Sequence, residues 1–287
     1  MKQEILVIAD FEEDKFIVLE QAKILAKAFN CSLRIVNFCY ENLAGVSDLE
    51  TAKQAIISEV HENSAHKLVN ALVKKVEYDF ETVWAKNIHV WVNDYVNEHK
   101  PKMVVKTGHR SEALFYTPTD WHLVRECNVP VMIATDKHWH KANTVLATVD
   151  LATELPEKQQ LNEKVLQHAS ILAKQLNTEL HICYTIDVSP TLSKLGIVNK
   201  EMIEIQQLGL TKEKVKLMAS NFGVSPEQIH IKTGQIDKIV TSVAAQCKAS
   251  HIVVGTIGRQ GLEQKLIGNS AEAIMHLAKT DILVLKP

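Results

Sequence analysis

Residues Ile5-Leu-Val-Ile-Ala-Asp10 and Val145-Leu-Ala-Thr-Val-Asp150 are short apolar runs that each end on an aspartate, and from each of them the chain follows the same course. The echo continues in Ala22-Lys-Ile-Leu-Ala-Lys-Ala-Phe-Asn-Cys-Ser-Leu-Arg-Ile35 against Ala169-Ser-Ile-Leu-Ala-Lys-Gln-Leu-Asn-Thr-Glu-Leu-His-Ile182, where Ile-Leu-Ala-Lys, Asn, Leu and Ile keep their spacing. Self-similarity at this range marks a duplicated structural unit. Over 287 residues it gives two units near the commonest domain size, each long enough to bury a core. The polar stretch Asp136-Lys-His-Trp-His-Lys-Ala-Asn143 is the natural linker, so the units are expected at 1–137 and 143–287.

Within each unit, short apolar runs alternate with amphipathic stretches, the pattern of helices crossing between parallel strands. Strands are predicted at 4–9, 32–38, 76–84, 102–106 and 130–134, then at 144–149, 179–185, 228–232, 251–254 and 281–286. Helices are predicted near 14–29, 49–74, 87–98 and 119–127, from Pro156 to Asn177, and around 236–247 and 269–279. The section 186–222 reads as helical, with Gly209 breaking it. The fold class is therefore α/β: two tandem doubly wound parallel-sheet, Rossmann-like domains. Duplicated units of this kind pack as a pseudo-dimer, and the apolar final strands Val129–Ala134 and Asp281–Lys286 are expected to pair, which would protect two sheet edges.

Composition narrows the function. Hydrophobic residues make up 46% and charged residues 23%, as in an ordinary globular protein, and the formal charge of −2 offers no field for polyanions. Nucleic acid is not an expected partner. No apolar run approaches the ~20 residues of a membrane helix, and the N-terminus has no long apolar leader, so the expectation is a cytoplasmic protein with no membrane partner. The cysteines (Cys31, Cys39, Cys127, Cys183, Cys247) are odd in number and scattered, without a Cys-x-x-Cys pair, and read as small buried hydrophobes.

The second unit carries a distinctive spacing, Gly255-Thr-Ile-Gly258, nine residues, then Gly268-Asn-Ser270. Gly255 and Gly258 lack a Cβ, which lets backbone N–H groups approach phosphate oxygens, and Gly268 opens a helix whose positive end favours an anion. Asn269 and Ser270 would add side-chain donors there, and Arg259 lies inside the loop as a partner for a β- or γ-phosphate. Asp150 ends the first strand of the same unit and can accept from a ribose hydroxyl or an adenine amino group; helix capping is its plainer use. In the first unit Lys106, His109 and Thr119 fall roughly where glycines would be, with Tyr116, Pro118 and Trp121 adding bulk. No nucleotide is expected there, despite Asp10.

These residues carry a resemblance. Ile252-Val-Val-Gly-Thr-Ile-Gly-Arg-Gln-Gly-Leu262, Gly268-Asn-Ser-Ala-Glu272 and Asp281-Ile-Leu-Val-Leu285 are similar to the G-x2-G-x9-G-[ST] ATP loop and closing strand of the universal stress proteins. The chain resembles a tandem member of that family over its whole length. The resemblance implies an adenine nucleotide alpha hydrolase-like fold, ATP with magnesium as the ligand, Asp150 at the adenosine, and Gly255, Gly258 and Gly268 as the phosphate-loop glycines; Gly234 matches a glycine usual before the third helix. Asn269 departs from the Ser or Thr that the pattern wants after the third glycine.

Other chemistry finds little support. Neither a Gly-x-Ser-x-Gly elbow nor a Walker loop is present, and no catalytic residue is assigned. His138-Trp-His140 lacks a companion cluster and reads as solvated linker, so no metal site is assigned. The amphipathic stretch 54–73 reads as a helix packed on the sheet. Trp84, Trp91, Phe115, Tyr116 and Trp121 either fill core or line an apolar pocket where the other unit has its phosphate loop. The leading reading is a non-catalytic stress-response protein that binds ATP or a related nucleotide through its second unit. The alternatives are a slow ATPase or autophosphorylating enzyme, and a carrier of a small apolar ligand or interaction scaffold without nucleotide; a further homodimer is compatible with either.

Overall fold

A computed structural model describes residues 2–11, 16–72, 76–108, 118–135, 144–189, 191–192, 195–257 and 268–287. The chain divides into two compact units, Met1–His138 and Trp139–Pro287.

In the first unit, β1 (Glu4–Ala9), α1 (Ile17–Phe29), β2 (Ser32–Cys39), α2 (Leu49–Leu72), β3 (Tyr78–Trp84), α3 (Ile88–His99), β4 (Val104–Thr107), α4 (Pro118–Glu126) and β5 (Val131–Ala134) follow in order. The strands lie side by side as β3-β2-β1-β4-β5, all parallel. Ile5, Leu6 and Val7 of β1 are fully buried, as expected of a central strand covered on both faces, whose side chains need not alternate apolar and polar.

The second unit repeats the order with β6 (Thr144–Val149), α5 (Pro156–Leu176), β7 (Leu180–Ile186), α6 (Lys200–Phe222), β8 (Ile229–Thr233), α7 (Ile236–Gln246), β9 (Ala249–Gly255), α8 (Asn269–Leu277) and β10 (Asp281–Leu285). Its sheet runs β8-β7-β6-β9-β10, again parallel. Gly234 joins β8 to α7 and donates its N–H to the Ile186 carbonyl at 3.0 Å.

The residue the repeat preserves most tellingly is the asparagine that ends the first helix of each unit. Asn30 and Asn177 both take φ 52, and each caps its helix by donating its backbone N–H to carbonyls of the last turn, Ala26 and Lys27 in one, Ala173 and Lys174 in the other. Asparagine enters this left-handed conformation more readily than other non-glycine residues, so one residue stops the helix and turns the chain into the next strand. Gly209 behaves differently from expectation: α6 runs through it without a break. An isolated glycine costs a helix about 1 kcal/mol relative to alanine, which neighbouring turns can absorb.

Candidate functional site

Strand order reverses between β1 and β4 in one unit and between β6 and β9 in the other, and a parallel sheet opens a crevice at such a point beyond its carboxyl ends. In the second unit this crevice gathers Asp150, which follows β6, Gly255, which ends β9, and Gly268, which precedes α8. Gly258 and Arg259 lie outside the described residues.

Gly255 is dictated by packing. A Cβ placed on it would lie 2.6 Å from Cγ and 2.7 Å from Cδ2 of Leu161, a side chain from the first turns of α5. That is well inside contact distance, and the clash falls on the branch point of a buried leucine rather than on a flexible tip. Gly255→Ala is therefore expected to cost about 1–3 kcal/mol as α5 is pushed off the sheet; urea unfolding checks this, and an unchanged midpoint would refute the contact.

Two residues that motif reading passed over hold the rest of the crevice. Thr256 Oγ1 accepts the Gly268 N–H at 2.9 Å, so the strand end and the start of α8 are tied across the loop between them. Asn162 of α5 brackets the backbone of Asp150: its Oδ1 accepts the Asp150 N–H at 3.0 Å and its Nδ2 donates to the Asp150 carbonyl at 2.7 Å. The Asp150 carboxylate is half exposed and faces Lys158 at 3.7 Å, a loose surface pair worth little. Burial raises the Tyr184 phenol pKa, and the Asp150 charge adds to that. At the start of α8, Gly268 is extended (φ −63, ψ 139) and as the N-cap residue brings no side chain of its own to the helix, while Ser270 is exposed.

The first unit presents a cavity at the matching strand ends. Its volume is about 540 Å³, and its wall includes Asp10, Phe11, Asn37, Phe38, Tyr40 and Lys106. The wall's polar groups are largely engaged with each other. Asn37 Nδ2 donates to Ser64 Oγ at 2.9 Å, Lys67 Nζ to the Phe11 carbonyl at 2.9 Å, and Lys106 Nζ to the Thr107 carbonyl at 2.9 Å. Lys106 also meets the Asp120 carboxylate of α4 at 2.8 Å, with both side chains buried (7% and 0% exposed).

The sheet register corrects the reading of Lys106 as the counterpart of Gly255. In β4, Val104 and Val105 pair with Leu6 and Val7 of β1; in β9, Ile252 and Val253 pair with Leu146 and Ala147 of β6. The Gly108 N–H reaches the last residue of β5 (Ala134), just as the Thr256 N–H reaches the last residue of β10 (Leu285), both at 2.8 Å. Thr107 thus stands at the position of Gly255, and Lys106 at that of Val254. His109 lies outside the described residues, as do Phe115 and Tyr116. Of the two readings of the first unit's tryptophans, the pocket one is not met among the described residues, where the aromatics lining the cavity are Phe11, Phe38 and Tyr40. Trp91 instead stacks on Tyr95 at 5.1 Å and meets Phe38 edge-on at 5.3 Å, and Trp84 leans on Tyr40 at 5.6 Å.

Three of the five thiols fit their reading as buried hydrophobes, while Cys39 and Cys247 are only partly buried. Cys31, Cys127 and Cys183 are buried, and burial pushes the Cys183 thiol up to about 12. A thiol so disfavoured as thiolate is a poor nucleophile. Among the described residues, no helix is long and apolar enough to cross a membrane.

Two parallel-sheet units, each opening at a switch point, define a tandem protein of the doubly wound α/β class. The sequence profile of the Universal stress protein family matches residues 1–135 and 145–286. Universal stress protein E of Escherichia coli K12 is 30% identical over 307 residues, covering 100% of this chain and 95% of that one. Among solved structures, a functionally unknown protein of Pseudomonas aeruginosa PAO1, PA1789, aligns with a TM-score of 0.72 at 23% identity, covering 100% of this chain and 93% of that one. A universal stress protein of Archaeoglobus fulgidus aligns at 0.69 with 15% identity, covering 99% and 98%. The chain belongs to the universal stress protein family, as a tandem member similar to the E type along its whole length.

Proposed function

We propose that this universal stress protein binds ATP or a related adenine nucleotide at the strand ends of its second unit, in the cytoplasm and without catalytic turnover, with magnesium accompanying the phosphates. The observation that carries the reading is the convergence of Asp150, Gly255 and Gly268 on the β6/β9 crevice, with Thr256 and Asn162 bracing the backbone on either side. Asp150 would meet the ribose or adenine, and the N-terminus of α8 with Asn269 and Ser270 would face phosphate. Gly258 and Arg259 would complete the loop. Binding would act as a conformational signal.

Calorimetric titration with ATP and AMP, with and without magnesium, tests this. Saturable ATP binding that is lost in Gly258→Asp is the expected result, since a carboxylate in the loop repels phosphate. Absence of binding at millimolar ATP would sink the proposal, and time-dependent loss of bound ATP would favour the ATPase alternative.

A second reading rests on the first-unit cavity. About 540 Å³ lies within the range of about 300–1,000 Å³ typical of small-molecule sites. Lys67 and Lys106 are both engaged with protein groups, so the chemistry favours a largely apolar occupant with hydrogen-bonding groups over a phosphate ester.

A further inference from the structure

We propose that His89, His122 and Glu126 of the first unit form a binding site for a divalent transition metal, of the zinc class, between α3 and α4. Each residue offers a ligand atom, and these atoms lie within 4.8 Å of one another. The residues come from two helices: His89 from the first turn of α3, His122 and Glu126 from one face of α4 at i, i+4 spacing.

The imidazoles stack with centroids 4.0 Å apart and planes 13° from parallel, and His122 Nδ1 lies 3.0 Å from Glu126 Oε1. A tetrahedral ion with bonds of about 2.0 Å needs its ligands about 3.3 Å apart and in the plane of each donor ring, so the set closes only when one imidazole swings out of the stack and turns its nitrogen toward the ion. The second oxygen of Glu126 accepts from Asn93 Nδ2 at 3.1 Å. Asn93 lies one turn along α3 from His89, and an outer partner that fixes a ligating carboxylate is characteristic of metal sites.

All three ligands are half-buried, which leaves a fourth position open to water. Two imidazole nitrogens and one carboxylate suit zinc or its neighbours; magnesium and calcium prefer oxygen-only sets.

The second unit's histidine pair does not form such a set. His181 Nδ1 meets His230 Nε2 at 2.9 Å, while Glu179 approaches the other ring nitrogen, Nε2, at 3.6 Å, so the partners point to opposite edges of one ring. The α3/α4 site also sits beside the cavity, because α4 carries Asp120, the partner of Lys106. An ion there would fasten α4 to α3 and steady that pair.

The test uses the full chain, stripped by chelator and dialysed against micromolar zinc, with bound metal measured by elemental analysis and cobalt added as a spectroscopic probe. Expected are one zinc per chain, the visible absorption of four-coordinate cobalt, and a raised melting temperature. Glu126→Gln, which keeps the Asn93 contact, and His89→Gln should each lose the zinc and the cobalt spectrum, while the linker variant His138→Gln/His140→Gln keeps both. Asn93→Ala should weaken zinc binding about 10-fold or more. The proposal is overturned if the native chain retains no zinc, if folded Glu126→Gln still holds a full equivalent, or if the linker variant abolishes binding.

Discussion

Lowering the pH from 6.5 toward 3 is expected to cost the second unit up to about 4–5 kcal/mol of folding stability through His251 alone, at about 1.4 kcal/mol per pH unit. His251 is fully buried in β9, and burial drives its pKa from the ordinary 6.5 down to about 3. Its Nδ1 lies 2.7 Å from Ser250 Oγ, which holds the neutral ring in place. The unfolded chain takes up this proton near 6.5 and the folded chain only near 3. Between those values the unfolded state holds the extra proton, so stability falls as pH falls; above 6.5 the group has no effect. His230 acts in the same sense, its pKa lowered by burial and then by the neighbouring His181 and Lys232. The buried Asp281 stands in register with His251 on β10, and a charge there opposes the shift, which makes the quoted range an upper bound. Urea unfolding between pH 7.5 and about 4 checks this against His251→Leu, since the difference between the two profiles cancels the other titrating groups. Parallel profiles would show that His251 takes up its proton while folded.

The second large effect belongs to the first unit. Lys106→Met is expected to destabilise it by about 3–5 kcal/mol, because Asp120, with a side chain 0% exposed, would be left as a buried charge without its 2.8 Å partner. The pair itself contributes far less than its rupture costs, since desolvating both ions offsets most of their attraction. The double variant Lys106→Met/Asp120→Leu should therefore recover most of the loss, and chemical denaturation of the three proteins closes the cycle. If the double variant is as unstable as the single, the loss comes from packing around Lys106 and not from the orphaned carboxylate.

What the sequence discloses follows physical range. The strand runs, the helix stripes and the asparagine caps are local, and they emerge with ends shifted by a residue or two: the strand expected at 102–106 is Val104–Thr107. Gly209 misleads because a glycine's local cost is too small to overrule a helix propagating from both sides. The equation of Lys106 with Gly255 fails by one residue because register is fixed by partners on neighbouring strands, which spacing along one strand does not count. The two glycines of the second crevice that the structure describes are visible as a motif, whereas Thr256 and Asn162 are not: one hydroxyl and one amide that hold backbone look like any other polar residues until the chain folds over them. The same holds for His89 and Glu126, which meet only because α3 packs on α4.

The contact between Gly255 and Leu161 bears on how such a motif survives. A helix seated this closely on a strand will select against every larger residue at that place, whether or not anything occupies the crevice beyond. A second unit that abandoned its nucleotide would go on carrying the first glycine for as long as these two elements stayed in touch, unlike the first unit, which has Thr107 at that place. Drift after loss of function should show first at the other two positions, and the spread of residues there across descendants would be the better record of when the ligand was given up.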